Sequence, residues 1–354
     1  DYMKTNFLFC GISNDVETAN AFARVEMNGK SILLTRDENM KFHAFENVCR
    51  HRGMEVVTKE KPRGKSQVHV CPYHSWAYGS NGELLNVPFE KGFEGNAKVD
   101  LENRNLIPLP SAEIAGTLWV VSHPDETKNY NEMAKDILNQ KLQEELSAFN
   151  VGKNFAVVSQ EMRLNANWKL PIDTFGEAYH FKTLHPFLRQ VFMRNRMLFN
   201  GYDDSNGNEK NSCMVLGANT LQLMADGDIP KEKWFDTSPF SHATPTYMFS
   251  PNTSFIVNAN GLSVTQVFPT DKVDECIVRM TQYAGNDPAK FSTQQRKSIA
   301  QNFGGFLDIV ATEDFEILAK MNRSFKESPH AETIFGRNEP ALTYRHKMFL
   351  NMLK

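Results

Sequence analysis

The sequence predicts an α+β protein of two domains: an all-β domain at residues 1–125, then a domain with an antiparallel sheet and helices at 126–354. Three observations support this. Short apolar runs separated by turn residues fill the first third of the chain. Longer strand-like runs and two helical patterns follow. The length of 354 residues also exceeds what one hydrophobic core usually serves.

The composition is that of an ordinary globular protein and restricts its partners. The 39 basic and 42 acidic side chains give a net charge of −3, so we expect no nucleic-acid or membrane partner. No apolar run approaches the roughly 18 residues of a membrane span. No secretory leader is visible, and five cysteines do not suggest a disulfide framework. We therefore expect a reducing compartment, the cytoplasm.

The first domain is predicted to consist of short strands. Strand-like runs lie at 31–35, 42–45, 68–70 and 116–121, with turns at 28–29, 37–39 and 79–82. The residues His-Pro-Asp-Glu at 123–126 break this pattern, which places the domain boundary near residue 125. The polar segment at 131–146 is predicted to be a helix.

The second domain mixes strands and helices. Strands are predicted at 157–164, 246–249, 254–258, 263–268 and 275–283, and helices at 168–184 and 303–325. The polar, Gly- and Asn-rich segment at 200–212 is predicted to be a mobile loop. Successive strands flanked by helices favour an antiparallel sheet.

Four potential metal ligands lie in two paired motifs of the first domain. The segment C-R-H-R-G at 49–53 and the segment C-P-Y-H-S-W at 71–76 offer Cys49, His51, Cys71 and His74. Two thiolates and two imidazoles suit either one zinc ion or a [2Fe–2S] cluster. In the cluster, the cysteines hold one iron and the histidines the other. The alternation of Cys and His in each pair favours the cluster.

A second group of potential ligands lies in the second domain. Glu177 and His180 are three residues apart, which makes them neighbours on a helix face. His185 would not share that face, but Pro186 disfavours helical backbone at residue 185. We therefore expect the helix to end near Leu184 and His185 to turn back towards His180. Two imidazoles and one carboxylate form a ligand set for Fe(II).

The carboxylate is predicted to come from the C-terminal helix. On a regular helix, Asp314 shares its face with apolar residues, whereas Asp308 and Glu313 lie on more polar faces. An unpaired buried carboxylate is unfavourable, and metal coordination relieves that cost. A buried ion pair is the alternative role for Asp314.

The two motifs together resemble the oxygenase (α) subunits of the Rieske non-haem iron oxygenases, the aromatic-ring-hydroxylating dioxygenase family. The segment N-W-K-L-x-x-D-x-F-x-E-x-Y-H-x-x-x-x-H at 167–185 resembles their catalytic signature, and the paired Cys/His motifs resemble their Rieske motif. Two features differ. The longer spacing between the Cys/His pairs implies an enlarged loop over 55–66, and Ser75 stands where the family commonly has Gly.

The resemblance implies two cofactors and their ligands. A [2Fe–2S] cluster would be bound by Cys49, His51, Cys71 and His74, and a mononuclear Fe(II) by His180, His185 and Asp314, the latter in a helix-grip-like catalytic domain. Glu177, where the family usually has Asp, would bridge His74 of one subunit to His180 of another. Asp173, one turn earlier, is the rival bridge.

The same resemblance implies a function and partners. The chain would be a terminal oxygenase that uses O₂ to hydroxylate a small aromatic or otherwise apolar substrate. Oxidative N- or O-demethylation of a small, possibly quaternary, amine is the alternative. Because the chain has no nucleotide-binding fingerprint, electrons would come from a separate flavin/iron–sulfur reductase, with or without a ferredoxin. A homotrimer is expected.

Two non-enzymatic interpretations also fit part of the sequence: a Rieske electron-transfer or redox-sensing protein, and a zinc-stabilised binding module. The His/carboxylate group of the second domain argues against the first of these. Substrate contacts are weakly indicated, because Met and Phe stripes are often plain core. The candidates for the pocket are Phe187, Val191, Phe192, Met197, Met248, Phe249 and Phe255.

Overall fold

A computed structural model describes residues 2–93, 101–185, 198–216, 244–258, 261–328, 330 and 332–352. The chain divides into two compact units, Asp1–Lys135 and Asp136–Lys354. The boundary predicted from the sequence, near residue 125, lies slightly earlier in the chain and stays a prediction. In the described ranges, no helix is both long enough and apolar enough to cross a membrane.

The first unit is built from three small antiparallel sheets. Its strands are β1 (Leu8–Ile12), β2 (Ala21–Met27), β3 (Lys30–Arg36), β4 (Phe42–Glu46), β5 (Arg63–Lys65), β6 (Val68–Val70), β7 (Ala77–Gly79), β8 (Leu84–Asn86), β9 (Ser111–Ile114) and β10 (Thr117–Val120). The strand orders are β1-β10-β9, β4-β3-β2-β5 and β6-β7-β8. Short helices α1 (Tyr2–Thr5) and α2 (Tyr130–Lys135) flank them, with 3₁₀ turns at Ser13–Val16 and Glu90–Phe93. The expected β domain is confirmed.

Local sequence explains how the central sheet of this unit is formed. Asn28 and Gly29 join β2 to β3 and both have positive φ angles, 52° and 75°. An Asn-Gly pair with this geometry matches the right-handed twist of a hairpin. The enlarged loop expected over 55–66 contributes strand β5, which pairs with β2 at the edge of the sheet. The extra residues thus extend a sheet.

The second unit contains one seven-stranded antiparallel sheet with helices beside it. Its strands are β11 (Phe155–Leu164), β12 (Leu198–Asp203), β13 (Glu209–Leu216), β14 (Thr244–Phe249), β15 (Thr253–Asn258), β16 (Gly261–Pro269) and β17 (Cys276–Ala284), in the order β11-β17-β16-β15-β14-β13-β12. Its helices are α3 (Gln140–Ala148), α4 (Lys169–Thr174), α5 (Phe181–Leu184), α6 (Thr293–Ile309), α7 (Phe315–Glu327) and α8 (Pro340–Asn351), with 3₁₀ turns at Val151–Lys153 and Pro288–Lys290. The expected antiparallel sheet is confirmed.

The long C-terminal helical segment packs against this sheet. Helices α6 and α7 are continuous through a π-helical turn at Val310–Asp314, so the helix predicted at 303–325 begins ten residues earlier, at Thr293. Apolar side chains of this segment share one core with the sheet. The members on the helical segment are Phe303, Leu307, Val310, Phe315 and Leu318, and those on the sheet include Met248, Val267, Val278 and Met280.

The prediction of a mobile loop at 200–212 is wrong, because β12 and β13 pair there as a hairpin. The Oδ1 atom of Asp204 accepts hydrogen bonds from the backbone N–H groups of Asn206 and Asn208, 2.9 Å each. The ring of Tyr344 on α8 lies so close to Gly201 that a Cβ there would be 2.5 Å from it. The hairpin was missed for two reasons. The polar residues that suggested a loop form its turn, and the helix α8 that covers it is distant in sequence.

The single helix predicted at 168–184 is also wrong, because the structure divides it into α4 and α5. The Glu177 carboxylate accepts hydrogen bonds from the backbone N–H groups of Tyr179 and His180. A side chain that bonds these groups replaces the helical pattern with a local turn. The predicted end near Leu184 is confirmed, and His185 has non-helical angles of −109° and 88°. The helix predicted at 131–146 likewise divides, into α2 and α3.

Candidate metal centres

The first ligand loop follows β4 and is closed by a buried asparagine. The side-chain amide of Asn47 donates to the carbonyl of Val57 at 2.6 Å and accepts from the backbone N–H groups of Val56 and Val57. The loop that carries Cys49 and His51 is therefore held at both ends.

The second ligand loop is the tight connection between β6 and β7. The backbone N–H of Cys71 donates to the carbonyl of Trp76 at 2.8 Å, and that of Ser75 donates to Cys71 at 3.0 Å. Ser75 has a φ of 58°, the left-handed region that glycine adopts with least strain. This explains in physical terms why a glycine suits the position.

Contacts between the two loops bring the predicted ligands together in pairs, His51 with His74 and Cys49 with Cys71. Tyr78 on β7 reaches across, with its hydroxyl 2.9 Å from the backbone N of Arg50 and 3.4 Å from the Sγ of Cys49. The imidazole centroids of His51 and His74 lie 4.6 Å apart. Cys49 and Cys71 are both buried and form no disulfide.

The environment of these side chains fits a metal cluster. Burial, together with the neighbouring His74 and Arg52, lowers the pKa of His51, so its ring is neutral at pH 7. Its Nδ1 atom is buried without a hydrogen-bond partner. Burial raises the pKa of Cys71, and the nearby Cys49 raises it further. A metal ion would use the orphaned nitrogen and compensate the thiolate charges.

In the second unit, His180, His185 and Asp314 converge as predicted. Each can direct one ligand atom to a common point, and these atoms lie within 4.8 Å of one another. The Nε2 atoms of both histidines are 3.4 Å from the Oδ1 atom of Asp314. This geometry leaves a place for one ion between the three side chains.

Asp314 has the surroundings of a metal ligand. It is 6% exposed, and its Oδ1 atom is buried without a hydrogen-bond partner. Its charged partners among the described residues are the imidazoles of His180 and His185, so a buried ion pair with a protonated histidine and metal coordination both stay open for Asp314. Asp308 is exposed to solvent, in agreement with the helix pattern.

The two carboxylates next to His180 control its proton. Burial lowers the pKa of His180, but Asp314 and Glu177 outweigh this effect and raise it to about 9. A neutral imidazole is required for coordination, so a metal must displace that proton. The negative charges of Asp314 and Glu177, which stabilise the protonated imidazole, would also stabilise a bound divalent cation.

Glu177 and Asp173, the two predicted bridge candidates, have different contacts. The Oε1 atom of Glu177 contacts the Nδ1 atom of His180. Asp173 instead faces helix α8, where its carboxylate is 2.8 Å from the Nε2 of His346 and 3.4 Å from the Nε of Arg345. Within the described residues, Glu177 contacts an iron-ligand candidate and Asp173 does not; the role of Glu177 as a bridge stays a prediction.

Sequence reasoning missed several residues that support the two sites. Glu313 was expected to be solvated, but its Oε2 atom lies 2.6 Å from the Nδ1 of His185. Asn47, Tyr78 and Arg345 were not singled out. The adjacent Glu-Asp pair at 313–314 was the one available signal, and regular helix geometry assigned its members to different faces.

The predicted pocket residues have mixed outcomes. Phe187, Val191, Phe192 and Met197 lie outside the described residues. Met248, Phe249 and Phe255 are buried core side chains. They do not line the cavity of about 900 Å³ that lies beside α6, to which Tyr283, Phe291, Phe303 and Phe306 contribute aromatic rings. Its described lining residues include no acidic or basic side chain.

A β domain with Cys₂His₂ ligands on two loop tips, followed by an antiparallel-sheet domain with a His₂-carboxylate set, defines a two-centre non-haem iron protein of the Rieske type. Comparison with known families agrees. Residues 7–103 match the Rieske [2Fe–2S] domain, and residues 153–354 match the ring-hydroxylating α subunit (catalytic domain). The chain belongs to this family of Rieske oxygenase α subunits, which carry a [2Fe–2S] cluster and a mononuclear iron.

Individual relatives fall into two substrate groups. The glycine betaine monooxygenase oxygenase subunit of Pseudomonas aeruginosa (strain UCBPP-PA14) is 29% identical over 187 residues, 53% of this chain and 41% of that protein. The large oxygenase component of salicylate 5-hydroxylase from a Ralstonia species is 23% identical over 359 residues, 94% of this chain and 82% of that protein. The match to the first relative thus spans less than half of its length.

Solved structures share the fold. The crystal structure of the quaternary ammonium Rieske monooxygenase CntA with an inhibitor superposes with a TM-score of 0.77 at 19% identity, covering 99% of this chain and 89% of that one. At this identity the likeness concerns the fold alone.

Proposed function

We propose that the protein is the terminal oxygenase component of a multicomponent system that oxidises a small organic substrate with O₂. The observation that carries this proposal is the convergence of His180, His185 and Asp314 around a buried, unpartnered carboxylate oxygen. A Rieske electron-transfer or sensing protein would not need this group. Membership of the oxygenase family supports the same conclusion.

We assign the cluster to the paired Cys/His loops and the iron to the His₂-Asp group. When bound, the cluster and the iron supply the two-electron redox chemistry that a reaction with O₂ requires. The protein's part is to hold the ligands: Trp76 stacks on His51 with ring planes 3° apart, and Glu177 holds the Nδ1 side of His180 so that Nε2 faces Asp314. Such outer contacts orient imidazoles and tune the metal.

The partners follow from the need for external electrons. We propose a separate flavin/iron–sulfur reductase, with or without a ferredoxin, and a cytoplasmic homotrimer in which Glu177 links a cluster histidine of the neighbouring subunit to His180. A head-to-tail contact that closes into a ring is compatible with a trimer. The contact of Glu177 with His180 supports the iron end of this path.

We propose that the substrate is a small aromatic compound or a small quaternary amine. The cavity beside α6 is a candidate binding place, and its described lining includes none of the iron-ligand candidates His180, His185 and Asp314. Its lining is uncharged and mixes aromatic residues with polar ones such as Gln282 and Gln295, and the salicylate relative is a precedent for an aromatic substrate. The same rings offer cation–π contacts to a quaternary amine, for which the glycine betaine relative is a precedent. The two relatives support one class each, so the assay includes both.

The proposal is tested by a substrate screen with purified protein, reductase, NADH and O₂. Quaternary amines and small aromatics are compared by product identification, with formaldehyde as the marker of demethylation and a hydroxylated ring as the marker of the other reaction. We expect Asp314→Ala to keep the red-brown colour of the cluster and lose at least about 100-fold in turnover. Cys71→Ser should lose the colour.

Two results would contradict the proposal. Colourless wild-type protein that contains zinc would indicate a zinc-stabilised binding module. Coloured protein in which Asp314→Ala reduces the same acceptors as fast as wild type, with no oxygenated product from either, would indicate an electron-transfer protein. Asp308→Ala, which removes an exposed carboxylate from the same helical segment, is the matched control and should match wild type.

A further inference from the structure

Glu313 contacts the iron-ligand candidate His185 from the side opposite to Asp314. Its Oε2 atom is 2.6 Å from the Nδ1 of His185, while the Nε2 of the same ring is 3.4 Å from Asp314. His185 is 4% exposed, whereas the Glu313 side chain is 32% exposed. The buried ring therefore has a carboxylate on each nitrogen, and one of these carboxylates reaches the surface.

The backbone explains how adjacent residues serve one ring. In a regular α-helix, successive side chains point about 100° apart, so residues 313 and 314 would face different directions. The helix instead widens into a π-helical turn at Val310–Asp314. Such turns are rare and often mark functional sites. Here the turn ends at the residue pair whose carboxylates both approach His185.

The second histidine has the same pattern of contacts. The Nδ1 of His180 contacts Glu177, and its Nε2 faces Asp314. Each imidazole thus has its own carboxylate on Nδ1, and the two rings share Asp314 on Nε2. A carboxylate on the outer nitrogen fixes the tautomer and orientation of a metal-binding imidazole and raises its basicity. The arrangement around His185 is complete only if Glu313 is counted.

We propose that Glu313 is a positioning residue for the mononuclear iron centre, which holds His185 with Nδ1 protonated and Nε2 directed to the metal. This inference rests on the proposed function, in that it requires the three-residue group to bind a divalent metal. It assigns no contact with substrate to Glu313 and no part in the path from the cluster.

Cobalt(II) binding tests the inference without relying on turnover. Protein is prepared with its cluster oxidised, a state without net spin, and Co²⁺ is titrated into the mononuclear site and followed by electron paramagnetic resonance. We expect Glu313→Ala to weaken Co²⁺ binding about 10- to 100-fold and to change the shape of the cobalt signal. Glu313→Gln, whose amide oxygen still accepts from Nδ1–H, should stay within about threefold of wild type.

The control is Glu316→Gln on the same helical segment. Glu316 is exposed and pairs with Lys320 at 3.7 Å, so this variant removes one nearby charge without touching either histidine. Its cobalt affinity and signal should equal those of wild type. Equal thermal unfolding of the Glu313 and Glu316 variants shows that the second unit is folded in each.

The possible failures are distinguishable. If wild type and His180→Ala bind Co²⁺ equally, or neither binds it, the proposed function fails and this inference with it. If wild type binds Co²⁺, His180→Ala does not, and Glu313→Ala stays within about twofold of wild type with an unchanged signal, the role of Glu313 alone is wrong. Loss in Glu313→Gln as large as in Glu313→Ala would also contradict positioning by hydrogen bonding.

Discussion

Two single residues, Asp314 and Ser75, lie in local environments that are energetically unfavourable for their own side chains. Asp314 is a buried carboxylate whose orphaned oxygen would be costly without a cation. Ser75 is exposed, next to the cluster ligand His74, and holds a φ of 58°. The first residue was identifiable from its helix face, because burial follows periodicity. The strain at the second was visible only as a departure from a family pattern.

Ser75→Gly should stabilise the first unit. Left-handed backbone costs a residue with a Cβ about 1–2 kcal/mol, and the extra freedom of unfolded glycine offsets part of this gain. We expect a net stabilisation of about 0.5–1 kcal/mol, seen as a midpoint about 2–4 °C higher for the thermal loss of cluster absorbance. Ser75→Ala keeps the Cβ and should show no gain; an equal rise in both variants would contradict the strain argument.

At the scale of elements, the C-terminal helix α8 fixes the segment that leads to the iron ligands. Arg345 of α8 is buried. Burial lowers the pKa of its guanidinium and the neighbouring Asp173 of α4 offsets part of that decrease, so the resulting pKa is about 10. The guanidinium therefore remains charged at neutral pH. Gly176 lies against Leu342 of α8, since a Cβ at Gly176 would be 3.2 Å from it. Helix α4 and the turn with Glu177 are thus held from the far end of the chain.

Asp173→Asn should destabilise the second unit, because it leaves the buried Arg345 without its counter-charge. Breaking a buried ion pair from one side costs about 3 kcal/mol or more. The measurement is the calorimetric unfolding transition of the second unit. Asp308→Asn, the same change at an exposed position, is the control. Equal unfolding of both variants would show that the pair contributes little.

Element boundaries were predictable only where they depend on local sequence. The strands β14 to β17 lie close to the ranges predicted from alternation and turn residues. Each pairs with the next strand in the chain, so its hydrogen-bond partners are close in sequence. The hairpin β12–β13 and the break between α4 and α5 were not predicted. The first is covered by Tyr344 of α8, and the second depends on where the Glu177 carboxylate bonds. The contact of Tyr344 is long-range, whereas Glu177 bonds groups only two and three residues later; that local turn is not visible in the apolar periodicity used to predict helices.

At the scale of the whole molecule, each unit contains one complete candidate ligand set. The four cluster ligands lie in Asp1–Lys135, and the three iron ligands lie in Asp136–Lys354. The two sets can therefore be removed independently by mutation. This separation gives a direct test of whether electrons pass within one chain or between neighbouring chains, as the proposed trimer requires.

Mixed oligomers of Cys71→Ser and Asp314→Ala subunits should recover activity that neither variant has alone. In an equal mixture, a donor with an intact cluster faces an acceptor with an intact iron site at about one quarter of the head-to-tail contacts. We expect about one quarter of wild-type turnover after co-expression and purification of mixed oligomers. Electron transfer within one chain would leave the mixture as inactive as its components.

The sequence by itself determined the two-domain α+β architecture and the types of chemistry, because metal-binding side chains at short spacings and alternating strands are local patterns. The proline at 186 predicted that the helix ends and that His185 turns towards His180, and the apolar helix face predicted that Asp314 is the buried carboxylate. Only the tertiary structure decided that Glu313 reaches His185, 128 residues away in sequence, and that Asp173 faces α8. Contacts across such separations depend on packing and on one widened helical turn, which no local periodicity encodes.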